Sequence, residues 1–122
     1  MKKIITLIIS LMFFVLSTSA WCAADLEIIN GGHWVSSSLE QKRAFLFGIG
    51  NMLEIEQAMA GDHYEAMRGH SIVHVLLEGL SGISIADLVM QLDQYYAERP
   101  ENMNKAVIEV LYVDMAKPNL EK

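Results

Sequence analysis

Basic residues are scarce in the 122-residue chain: nine Lys and Arg stand against fifteen Asp and Glu, a formal net charge of −6. That sign argues against phosphate-backbone binding as the main task, because such binding needs Lys and Arg to neutralise phosphates. There is one cysteine, Cys22, so neither an intrachain disulfide nor a cysteine-built zinc site is available. Prolines number two, and the chain has no internal repeat, low-complexity run or block of like charge. No segment alternates apolar and polar residues for long, and hairpin turn pairs are missing between apolar runs, which argues against a sheet. Recognisable catalytic signatures are missing too: there is no His-Glu-x-x-His, nucleophile elbow or Ser-x-x-Lys. Glu54 and Glu56 flank Ile55 and point in different directions on a helix, so they are not an acid/base pair. Gly48-x-Gly50 lacks the preceding strand and the following Gly or Lys of a phosphate loop.

What is present begins with an export segment. Lys2 and Lys3 precede an apolar run from Ile4 to Leu16, followed by Ser17, Thr18, Ser19 and Ala20, then Ala23 and Ala24. This order predicts a signal peptide over residues 1–24. The run is shorter than the ~20 residues that span a bilayer. Cleavage after Ala20 or after Ala24 both fit, and Ala24 removes Cys22 with the leader. An uncleaved anchor and a lipid-modified Cys22 are the competing readings; Trp21 before the cysteine disfavours the second. Removing Lys2 and Lys3 leaves seven basic and fifteen acidic residues in 25–122, a net charge of −8. Packing alone, without a disulfide, must then hold this single domain.

Four helices are predicted within 25–122. Asp25 to Trp34 reads as a lead-in, with Asn30-Gly31-Gly32 a turn. Ser37 with Glu40 forms a capping box that starts the first helix, and Gly61 ends it. Its apolar stripe is Leu39, Leu46, Ile49, Leu53 and Ala60, beside Phe45, Met52 and Met59. Gly48 and Gly50 each cost about 1 kcal/mol relative to Ala in a helix interior, which predicts close approach of another helix there. Asp62 with Glu65 starts the second helix, which runs to about Leu80 with Ile72, Val73, Leu76, Leu77 and Leu80 inward. Ser84 caps the third, and Ile85, Leu88, Val89, Leu92 and Tyr96 line its inner side. Pro100 ends it at Arg99. The fourth runs from Asn102 or Asn104 to Ala116 and stops at Pro118. Met103, Ala106, Val107, Val110 and Leu111 face inward, while Ile108, Tyr112 and Met115 form a second apolar strip, which predicts a central position.

Two stretches carry a resemblance. Residues 30–48, Asn-Gly-Gly-His-Trp through Lys42, Phe45, Leu46 and Gly48, are similar to the opening of a broad set of small exported bacterial proteins. Residues 88–96 and 100–102, followed by an apolar helix, are similar to the same set. The resemblance covers most of 30–117 and implies export and an all-helical fold, without implying a reaction. Tyr95 to Glu101 also resembles the Tai-like immunity proteins of type VI secretion, small periplasmic helical proteins that bind and block a toxic amidase. The chain departs from these in having no cysteine within 25–122.

One constellation could carry chemistry. On a continuous helix His63, Met67, His70 and His74 share a face, with His70 and His74 at a workable metal spacing and a Met sulfur suited to Cu(I). The same face reads equally as a core edge, since Leu77 lies in its stripe. Titration of the four histidines near pH 6 is a second use. Ser36, Ser37 and Ser38 read as a helix cap rather than nucleophiles. Trp34 reads as packing on the bundle, and Tyr95 as the exposed partner of core Tyr96, able to form a contact patch with Trp34 or Arg99.

The expectation is an all-α, single-domain four-helix bundle over 25–122, following a signal peptide over 1–24. The expected role is a periplasmic or secreted, non-catalytic protein-binding or inhibitor/immunity-type module. The alternative is a periplasmic metal-binding protein using the Met/His face. No catalytic, cofactor-binding or metal residue is assigned. The expected partner is a protein, of basic surface, with no nucleic acid, no membrane after cleavage and homo-oligomerisation open.

Overall fold

The computed structural model describes residues 27–66 and 70–121. The leader expected over 1–24, with Cys22 and both expected cleavage points, lies outside the described residues, as does Met67. The described chain is all-α, with four long helices; the only sheet-like feature among the described residues is an isolated antiparallel bridge between Asn30 and Ala106.

Six helical elements follow one another: α1 (Gly31–Ser36), α2 (Leu39–Ala60), α3 (His63–Ala66), α4 (Ile72–Gly79), α5 (Ile85–Glu98) and α6. The last is compound, passing from Val107–Glu109 through a π-helical stretch, Val110–Ala116, into Lys117–Leu120. A 3₁₀ turn, Pro100–Asn102, links α5 towards it. Trp34, Leu46, Leu76, Leu92, Tyr96, Val107, Val110 and Leu111 form the centre of a single core.

α5 matches its sequence reading closely. The Ser84 hydroxyl accepts the Asp87 N–H at 3.1 Å and the helix ends at Glu98, before Pro100. Leu88, Val89, Leu92 and Tyr96 are buried as their spacing requires.

Four other expectations are corrected. The lead-in over 31–36 is helical, because the Asn30 carboxamide accepts the His33 N–H while His33 Nδ1 accepts the Asn30 N–H. The first long helix is capped by Ser38 and Gln41, one residue beyond the Ser37–Glu40 pair; the Ser37 hydroxyl instead donates to the His33 carbonyl at 2.7 Å, closing α1. The second predicted helix is two, α3 and α4, because Ser71 is extended (φ −96°, ψ 133°) at the N-cap position of α4, without a side-chain capping bond. Pro118 does not stop α6: it occupies the first turn of Lys117–Leu120, where a missing N–H is tolerated.

The close approaches also lie elsewhere than expected. A Cβ on Gly48 or Gly50 would meet nothing within 4 Å. A Cβ on Gly79 would collide with the Ala116 backbone, and one on Gly31 with the Tyr96 ring. These two glycines, in α4 and α1, are where helices touch. Asn119 completes the first contact by donating its side-chain N–H to the Gly79 carbonyl at 2.8 Å. Backbone bonds complete the second: Gly31 N–H to Lys105 C=O, Gly32 N–H to Met103 C=O and Val107 N–H to Ile29 C=O. α6 is inward on Val107, Val110, Leu111 and Ala116, while Ile108, Tyr112 and Met115 are half-buried against the core. The fourth helix is therefore enclosed on one side and only partly on the other.

Candidate functional site: an apolar cleft beside the long helix

Among the described residues, His63, His70 and His74 do not share one helix face. His63 lies exposed in α3, His70 is exposed in a turn and His74 is buried in α4, on the far side of the break at Ser71. Separate helices cannot keep the one-face geometry that a continuous helix would give. No group of three or more His, Cys, Asp or Glu among the described residues is placed to hold an ion. His74 instead packs under Tyr64, ring centroids 4.8 Å apart, with Nε2 3.0 Å from a Glu78 carboxylate oxygen. Neither ring nitrogen makes an aligned hydrogen bond.

The aromatic patch is corrected as well. Tyr95 is 7% exposed and Trp34 1%. Trp34 meets Phe45 edge-on at 6.4 Å and donates its indole N–H to Asp93 at 2.8 Å. Lys42 binds the same Asp93 oxygen at 2.8 Å and lies 5.5 Å from the Trp34 ring centre. One carboxylate on α5 thus holds α1 and α2 together. The Tyr95 hydroxyl accepts from Asn102 at 2.9 Å and donates to Asp114 at 3.3 Å, while Arg99 covers its ring at 4.7 Å. Lys105 joins Asp114 at 2.7 Å, and that hydrogen bond holds the ammonium above its usual pKa of 10.5. Burial, then the neighbouring Tyr95, Glu109 and Asp114, pushes the Tyr96 hydroxyl up to about 12. Its hydroxyl donates to the Lys105 carbonyl at 3.0 Å. Both networks are internal ties between helices.

The concave feature suited to a ligand is apolar. A cavity of about 350 Å³ opens between α2, α4 and α5, lined chiefly by Leu46, Ile49, Leu53, Leu76, Leu80 and Ile83. Asn51 and Glu54 are the polar side chains among its lining residues. Glu54 stands exposed at its edge. A pocket of this kind can take an apolar side chain, with one carboxylate at its edge. Its residues were legible as helix stripes, but a stripe does not say whether its partner fills the space. The sequence signal for the gap is Gly50, which contributes no side chain to the lining.

Comparison of the chain with protein-family models, curated proteins and solved structures gives no match.

Proposed function

We propose that the chain is a periplasmic, non-catalytic protein-binding module, of the inhibitor or immunity type, that receives an apolar anchor of a basic partner in the α2–α4–α5 cleft. The observation carrying this reading is the apolar cavity with Glu54 at its edge on an acidic protein. An anchor side chain filling a desolvated pocket supplies affinity, while net opposite charge speeds the encounter. The leader-like residues 1–24 and the resemblance of 30–48 and 95–101 to exported helical proteins support the location and the class.

Site-specific photo-cross-linking tests it. A photoreactive residue at Ile83, on the cleft, is expected to give one discrete protein adduct in the periplasm. The adduct should fade with added salt and disappear with Leu80→Glu. A chain that retains its melting transition yet yields no adduct, or one indifferent to Leu80→Glu, overturns the proposal.

A further inference from the structure

Gly50 is a helix-interior glycine with no packing partner inside the chain. It lies within α2, and a Cβ there would meet nothing within 4 Å. The space it leaves belongs to the apolar cleft. Phe47, Gly50 and Glu54, at i, i+3 and i+7, share one side of α2 and form a rim of that cleft. Phe47 is 62% exposed at one end, and Glu54 is exposed at the other. Between them the rim is cut down to backbone. The fully buried Leu76 and Leu111 also reach the lining, so the cleft descends to the core.

Size, backbone chemistry and charge identify the occupant. An apolar cavity of ~150 Å³ holds one six-membered ring; at about 350 Å³ the cleft takes two side chains of that bulk. From Phe47 to Glu54 the rim runs ~10 Å along the axis, and two side chains four residues apart on a helix are separated by ~6 Å of rise, so such a pair fits the rim. The α2 wall is helix interior, whose N–H and C=O groups are already paired. Among the described residues there is no strand edge beyond the single Asn30–Ala106 bridge. An extended segment entering the cleft would leave its own backbone groups unpaired, whereas a helix brings its hydrogen bonds with it. The gap at Gly50 lets that helix come close. Glu54, on a chain of net charge −6, favours a cation at its end of the rim.

We infer that the occupant of the cleft is an amphipathic helix of the partner, crossing α2 at Gly50, seating two apolar side chains one turn apart and setting a Lys or Arg against Glu54. This rests on the protein-binding reading of the same cleft and adds the partner's secondary structure, its anchor spacing and the place of its charge.

Fluorescence anisotropy of the purified protein with a labelled, lactam-bridged model helix provides the test. The peptide is alanine-based, with two leucines one turn apart and a lysine one turn further on. It is expected to bind in the micromolar range. Replacing either leucine by alanine, or breaking the helix with a central proline, should weaken binding at least about tenfold. A peptide with glutamate in place of the lysine should bind more weakly, and Glu54→Lys should reverse that order. Gly50→Leu, which fills the gap, should abolish binding without lowering the urea midpoint. No binding up to ~1 mM, equal binding of the proline-broken or single-leucine peptide, or indifference to Gly50→Leu overturns the inference. A periplasmic adduct at Ile83 without peptide binding removes the helical occupant and leaves the partner reading standing. Peptide binding without an adduct removes the periplasmic partner and leaves a helix-receiving cleft.

Discussion

Asp93 shows how a single residue acquires a structural task that the sequence conceals. On α5 it sits among outward-facing polar positions, yet it accepts both the Trp34 indole N–H and the Lys42 ammonium. The opening pattern of Asn-Gly, Trp and Lys is thus an assembly code: Asn30 caps α1, Gly31 clears the Tyr96 ring, and Trp34 and Lys42 converge on Asp93. Tyr96 carries a pH prediction at this same scale. Its hydroxyl titrates near 12 in the folded protein, against 10 in the unfolded chain. Between those values the unfolded chain has given up the proton that the folded one keeps, so stability falls as pH rises through that window. The raised Lys105 acts in the same direction: its tie to Asp114 is intact below the usual lysine pKa and is lost above its raised one. The urea midpoint is expected to drop between pH 9.5 and pH 11.5, and Tyr96→Phe to flatten that drop. Absorbance of tyrosinate should lose its late-ionising component in Tyr96→Phe.

At the scale of elements, α5 was legible because three signals agree: a Ser84–Asp87 cap, a 3.6-residue apolar period and a Pro100 stop. Elsewhere one signal misled. α1 is held by bonds to residues some 70 positions away in sequence, which no local pattern reports. The split of α3 from α4 turned an apparent metal face into three unrelated histidines, because periodicity continues through a break that only backbone angles reveal. Glycine was the least readable residue. Gly48 and Gly79 both sit within apolar helices, but Gly79 meets the Ala116 backbone and Gly48 meets nothing. Substituting each by Ala separates them. Gly79→Ala is expected to destabilise by about 1–3 kcal/mol, because the colliding atoms are backbone and cannot swing aside. Gly48→Ala should be neutral or stabilise by up to ~1 kcal/mol. Urea midpoints of the two variants check both signs.

For the whole molecule, the decisive feature is that the short α1 packs against α5 beside the four long helices. A domain of this size has a stability of about 5–14 kcal/mol, from small per-residue surpluses. The core is drawn mainly from α4, α5 and α6, whereas only Leu46 of the 22-residue α2 is buried. Trp34 therefore supplies a disproportionate share: it covers Phe45, places its N–H on Asp93 and lies beneath Lys42. Trp34→Ala removes the largest fully buried side chain and is expected to cost ~3–5 kcal/mol, lowering the thermal midpoint by about 15 °C or more. Trp34→Phe keeps a ring but leaves Asp93 without its indole donor; about 1–3 kcal/mol of loss is expected, with the Lys42 contact retained. If α1 is the closure of the core, both variants lose the near- and far-ultraviolet signals together in one transition. A far-ultraviolet melt of Trp34→Ala matching that of the parent chain would place the cohesion of the bundle entirely in α4 to α6.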